Sequence, residues 1–194
     1  MFSLPLILLG VAVLLVFWGI TLYNRFVKMF QQVKEAWASI DVFLKQRYDL
    51  IPNLVETVKG YASHERGTLD EVISARAQAT QIHVDPANLT PETIAAMAAA
   101  ETGLSQALGK LLAVAEAYPD LKANTNFLEL QRELSDIENK IQSSRRFYNG
   151  IVRDFNTLVQ QFPSNIVARM FGFIVQTYFE LNDEAQREVP KVQF

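Results

Sequence analysis

The sequence predicts an all-α fold: an N-terminal transmembrane helix, a long up-down helical bundle of about four helices, and an apolar C-terminal tail. Three observations predict it. An apolar run without one charged side chain extends from Phe2 to Tyr23. Apolar residues then recur at steps of three and four over two stretches of helical length. Pro, Asn and Asp are gathered into a few short breaks between these stretches.

The run Phe2–Tyr23 is long enough to span, because ~20 apolar helical residues cross a ~30 Å hydrocarbon layer. A cleaved signal peptide is the competing reading, but it needs a basic leading region and a shorter apolar core, and Met1-Phe2-Ser3 carries no Lys or Arg. Trp18 and Tyr23 suit the membrane interface. Arg25, Lys28 and Lys34 follow the run closely and nothing basic precedes it, which places the N-terminus outside and the bundle in the cytoplasm, with a periplasmic bundle as the alternative. Residues 1–24 are therefore the anchor, 25–162 the bundle and 163–194 the tail.

In the bundle, the first stripe is Phe26, Phe30, Val33, Trp37, Ile40, Leu44, Tyr48, Ile51, Val55, Val58 and Ala62. No breaker separates it from the anchor, so span and stripe form one continuous rod, kinked where Pro52 lacks a backbone donor. Thr68 and Glu71 have capping-box spacing and predict a second helix from Thr68. Thr90, Pro91 and Glu92 predict the start of a third helix, with Thr90 as N-cap, that runs to about Tyr118. After a turn at Pro119-Asp120, a fourth helix carries Phe127, Leu130, Leu134, Ile137, Ile141, Ser144, Tyr148, Ile151, Phe155, Leu158 and Phe162. Such stripes bury themselves most simply by packing lengthwise within one chain, and a long parallel coiled-coil dimer is the competing architecture. The tail residues Phe171, Phe173 and Tyr178-Phe179 are apolar enough to need a cover: the bundle itself, lipid, or another subunit. Pro190 predicts an extended end over Val189–Phe194.

Chemistry is sparse. The chain has 194 residues, nearly half of them apolar, and a formal net charge of -3, so it has ample core and no basic field for nucleic acid. With no cysteine it has neither a disulfide nor a thiolate nucleophile. His64 and His83 show no metal-ligand spacing and no nucleophile elbow, and no glycine loop cradles phosphate. No cofactor and no small-molecule substrate is expected. The candidate positions are structural: Trp37, Tyr48 and Tyr148 as large stripe residues, and Phe171 and Phe173 in the tail. Arg47, Asp49 and Asn53 around Pro52, Asn124 at the start of the fourth helix, and Arg145, Arg146 and Asn149 within it interleave the stripes as candidates for inter-helix hydrogen bonds.

Several ordered blocks carry a resemblance. They are Glu35-Ala36-Trp37-Ala38-Ser39-Ile40-Asp41-Val42, Arg47 through Tyr61 with Pro52-Asn53 inside it, Leu111 through Asn124, Phe127-Leu128-Glu129-Leu130-Gln131, Arg145-Arg146-Phe147-Tyr148-Asn149, and Val189-Pro190-Lys191-Val192. In these the chain resembles the LemA family of bacterial membrane proteins over nearly its whole length. The resemblance implies a bacterial single-span protein with a long-helix bundle in the inner (plasma) membrane. It carries over no catalytic residues, since the family has no established enzymatic activity. Family genes often neighbour membrane metalloproteases, which implies a membrane protease as a partner. The expectation is a non-enzymatic scaffold that touches membrane lipids, forms homo-oligomers, and organises or shapes the membrane and its proteins. An adaptor or regulator of a membrane protease or other membrane partner is the alternative.

Overall fold

The apolar segment and the bundle share one element. In the computed structural model, which describes residues 4–86 and 89–180, helix α1 runs unbroken over Leu4–Lys59, 56 residues, or ~84 Å at ~1.5 Å per residue. Residues 4–18 at its apolar beginning are all exposed, Leu14 at 70%. That part is long and apolar enough to cross a membrane. Burial begins abruptly at Phe26 and continues along one face through Val33, Trp37, Ile40, Leu44, Ile51 and Val58.

Pro52 lies inside this helix, and the helix passes through it. Without an amide hydrogen, Pro52 leaves the carbonyl of Tyr48, four residues earlier, with no partner in the helical ladder. Arg76 supplies one from outside, its Nε donating to the Tyr48 oxygen at 2.7 Å. Arg76 belongs to α2 (Arg66–Gln81), so the gap that proline opens becomes the polar link between α1 and α2.

Helix α2 starts two residues before the expected Thr68, after Glu65, and no side chain caps it. The Thr68–Glu71 capping box does not form, because the Leu69 amide already bonds the Glu65 carbonyl and Thr68 falls within the first turn. Glu71 instead accepts from Lys110 Nζ at 2.6 Å, across to α3 (Pro91–Ala115). Helix α3 begins as expected, with Thr90 Oγ1 accepting from the Thr93 amide at 3.3 Å and Pro91 in the first turn. It ends at Ala115, and Pro119–Lys122 forms the short helix α4 where a plain turn was expected.

Asn124 caps α5 (Thr125–Gln160) by accepting from the Phe127 amide at 3.0 Å. Helix α5 lies antiparallel to α1, as four facing pairs show. Tyr61 meets Asn124 at 2.9 Å and Arg47 meets Glu138 at 2.6 Å. The rings of Trp37 and Tyr148 are 5.4 Å apart, and those of Phe26 and Phe155 are 6.2 Å apart. The expected stripe stays in the core beyond Tyr148, at Phe155 and Leu158. Val152 is buried and Ile151 only half-buried, while Phe162 is 80% exposed beyond the end of the helix.

The tail covers the seam only in part. Helix α6 (Ser164–Phe171) ends at Gly172, whose φ of 73° turns the chain sharply. Residues 173–180 then run extended along α1 and α5. Phe179 is fully buried, and its ring lies 5.3 Å from that of Trp37. Ile174 and Val175, by contrast, are 70% and 48% exposed, so the expectation that this run must be covered holds for some of its residues only. The extended end expected at Val189–Phe194 lies outside the described residues.

Trp37 and Tyr148 are each within 1% of complete burial and pack on each other. Trp37→Ala or Tyr148→Ala is expected to destabilise the bundle by ~3 kcal/mol or more, because each leaves a large cavity. Denaturant melts of the solubilised protein measure this, and an unchanged midpoint would contradict the packing described.

Candidate functional site

Most polar groups on α1, α3 and α5 face solvent, but a few face inward and meet. On α3 the series Ile94, Met97, Glu101, Leu104, Leu108, Leu111 steps by three and four, so Glu101 sits in a core register and is only 2% exposed. A carboxylate there needs partners, since an unpaired buried charge is very costly. It has two. Arg47, 1% exposed, sets its guanidinium against Glu101 Oε2, and the Tyr48 hydroxyl donates to Glu101 Oε1. Arg47 Nη1 also donates to Glu138 Oε1 on α5 at 2.6 Å and to Ser105 Oγ at 3.3 Å. One guanidinium thus ties three helices together. Burial pushes the Tyr48 hydroxyl up to about 12, with Arg47 opposing and Asp41 adding to the shift, so Tyr48 stays a neutral donor at physiological pH. Burial likewise raises Tyr148 above its ordinary value.

Beside this network a cavity of about 490 Å³ opens between α3 and α5. Arg47, Glu101 and Ser105 line one side of it, and Glu138, Gln142, Arg145, Arg146, Asn149 and Phe179 another. Below Phe179 the groove is filled by the chain's own strap. Asn149 donates to the Phe179 carbonyl at 3.1 Å and accepts from its amide at 2.9 Å. Asn156 does the same for Gln176, at 2.8 and 2.7 Å. The two asparagines are two helical turns apart, ~10 Å, and the strap covers the same distance in three extended residues at ~3.3 Å each. The carboxamides therefore pair with the strap as a neighbouring β-strand would. Between them the Tyr148 hydroxyl donates to the Thr177 carbonyl at 2.9 Å.

The structure brings Trp37, Arg47, Tyr48, Asn124, Tyr148 and Asn149 from the sequence candidates into inter-helix or strap contacts. Arg145 lies over the Phe179 ring at 5.3 Å. Asp49, Pro52 and Asn53 are exposed on α1. Arg146 is exposed and bonds Ser143 in its own helix at 3.0 Å. Phe173 stacks on Phe26 at 4.8 Å, and Phe171, 54% exposed, touches Tyr23 at 4.7 Å. Sequence reasoning missed Glu101, Asn156 and Arg76. Glu101 carried a usable signal, as the lone carboxylate in an otherwise apolar series, whereas Arg76 becomes legible only once Pro52 is known to sit inside a continuous helix.

The sequence profile of the LemA family matches residues 36–194. The chain belongs to the LemA family. The match begins within α1, and this LemA-family chain carries its apolar segment on the same helix. Among curated relatives, magnetosome protein MamQ of Magnetospirillum gryphiswaldense is 25% identical over 174 residues, which cover 81% of this chain and 64% of that protein. Magnetosome protein MamQ 1 of Paramagnetospirillum magneticum is 24% identical over 175 residues, with the same coverage. Protein LemA of Metamycoplasma hominis is 25% identical over 160 residues, covering 82% of this chain and 69% of its own. The chain thus matches 64% of the length of the MamQ proteins. None of these names denotes an enzyme.

Arg47→Ala is expected to cost ~3 kcal/mol or more, because it strands Glu101 in the core. Arg47→Met combined with Glu101→Leu is expected to cost less than Arg47→Ala alone, since no buried charge is left without a partner. Urea melts of these variants check both statements, and a double variant that loses as much stability as Arg47→Ala would contradict the network.

Proposed function

We propose that this LemA-family chain is a non-enzymatic, membrane-anchored scaffold that self-associates and organises or shapes the membrane and its proteins. The single observation that carries this reading is the continuity of α1, which holds the bundle upright on its anchor without a linker. Rods confined to one membrane and pointing the same way have a raised effective concentration, so weak lateral contacts suffice to assemble them. Gly10 and Gly19 make no Gly-x-x-x-Gly pattern in the span, so the contacts come from the bundle. Arg25, Lys28 and Lys34 support a cytoplasmic bundle in the bacterial inner membrane.

A second reading, an adaptor for a membrane protease or other membrane partner, draws on the polar cavity between α3 and α5. Treatment of native membrane vesicles with a membrane-impermeant amine cross-linker separates the two readings. The scaffold reading expects multimers from inside-out vesicles and none from right-side-out ones. Monomer alone in both orientations would overturn self-association and leave the adaptor reading, while multimers only in right-side-out vesicles would reverse the orientation.

A further inference from the structure

Helix α6 buries one face and leaves the other bare. Ser164, Val167 and Ala168 point into the protein, while Ile166 is 51% and Met170 71% exposed. Phe162 just before the helix, and Phe171 and Ile174 at and beyond its end, are 80%, 54% and 70% exposed. Arg169 stands exposed beside them. Five large apolar side chains on one short stretch form a patch that a soluble surface rarely carries.

The height of this patch on the molecule is fixed. The Phe171 ring lies 4.7 Å from Tyr23, and the Phe173 ring 5.9 Å from it. Tyr23 is the last residue of the uncharged run, and the exposed Arg25 and Lys28 follow at once. From Phe155, whose ring faces that of Phe26, α5 returns toward the span by ~7 Å before Gln160, which brings Gln160 to about the height of Thr21, with Phe162 two residues beyond. The patch is therefore continuous, through Tyr23, with the lipid-facing surface of the span, and it sits within the ~5–10 Å over which amphipathic helices bury their apolar faces in the interface.

We propose that the outward face of α6, with Phe162 before it and Ile174 after it, lies in the headgroup and upper acyl region of the bilayer that α1 enters, as a second contact with lipid. Phe162, Ile166, Met170 and Phe171 replace interfacial water with acyl chain, and Arg169 stays at phosphate level. With Tyr23 clamped to Phe171, the interfacial helix and the span meet at a fixed angle, so the bundle is held at two points and its tilt is set. This rests on the reading of α1 as membrane-spanning, and the test separates the two.

The natural absence of cysteine allows single-site labelling of the full-length protein in vesicles of equal parts phosphatidylcholine and phosphatidylglycerol. A fluorescent probe is placed at Ile166→Cys, Met170→Cys, Leu14→Cys in the span or Ser63→Cys at the far end of the bundle. The expected result is that probes at 166 and 170, like that at 14, are quenched by nitroxide-bearing lipid and are several-fold less accessible to aqueous iodide than that at 63. If the probe at 14 is lipid-quenched but those at 166 and 170 behave like that at 63, the patch stands in water and the proposal fails alone. Probes at 166 and 170 that are shielded from both quenchers, with disulfide dimers formed on oxidation of the unlabelled Met170→Cys protein, would also overturn it, by showing a second copy on this face. Loss of lipid quenching at position 14 would overturn the spanning reading and this proposal with it.

Discussion

One helix carries both a segment long and apolar enough to cross a membrane and a wall of the core, and the rest of the molecule is arranged around that constraint. Inside a bilayer the backbone must satisfy its own hydrogen bonds, which a helix does. In the bundle the same rod offers one long apolar face, so the simplest partner is a second long helix running back beside it. Helix α5 is that partner, and Trp37 against Tyr148 and Phe26 against Phe155 are its contacts. The shorter α2 and α3 pack on each other and close the far part of the core, linked to α1 and α5 by Arg76, Arg47 and Glu101.

Apolar ridges alone fix register weakly, since a seam of Leu, Ile and Phe can slide by one turn at small cost. Buried polar pairs discriminate against such slips, because a displaced Glu101 or Arg47 would be left charged and unpartnered in the core. Asn149 and Asn156 do the same for the strap: their spacing matches only one placement of Gln176 and Phe179. The network therefore contributes specificity of packing.

The sequence made the fold readable because its strongest signals are local. An uncharged run, two apolar periodicities and the Thr90-Pro91 start each follow from residues near one another in the chain. What escaped depends on distant partners or on where a helix ends. The Thr68–Glu71 spacing satisfies a capping rule, yet Glu71 is engaged by Lys110. Phe162 continues the stripe on paper but falls beyond the last turn of α5. The free carbonyl that Pro52 creates was predictable, whereas its donor Arg76 was not. The strap was legible as an apolar tail, but its pairing with asparagine side chains has no sequence period.

Membership of the LemA family agrees with this architecture. The central claim is that span and bundle form one rigid helix, and a distance along it tests that claim most directly. Spin labels at Leu14→Cys and Lys45→Cys, on the full-length protein in vesicles, should give a single narrow distance distribution by pulsed electron resonance. Its centre is expected near ~46 Å, the rise of the helix between these positions. A broad distribution, or a centre many ångströms shorter, would mean that the helix breaks or flexes at the membrane surface, and the bundle would then hang from its anchor instead of standing on it.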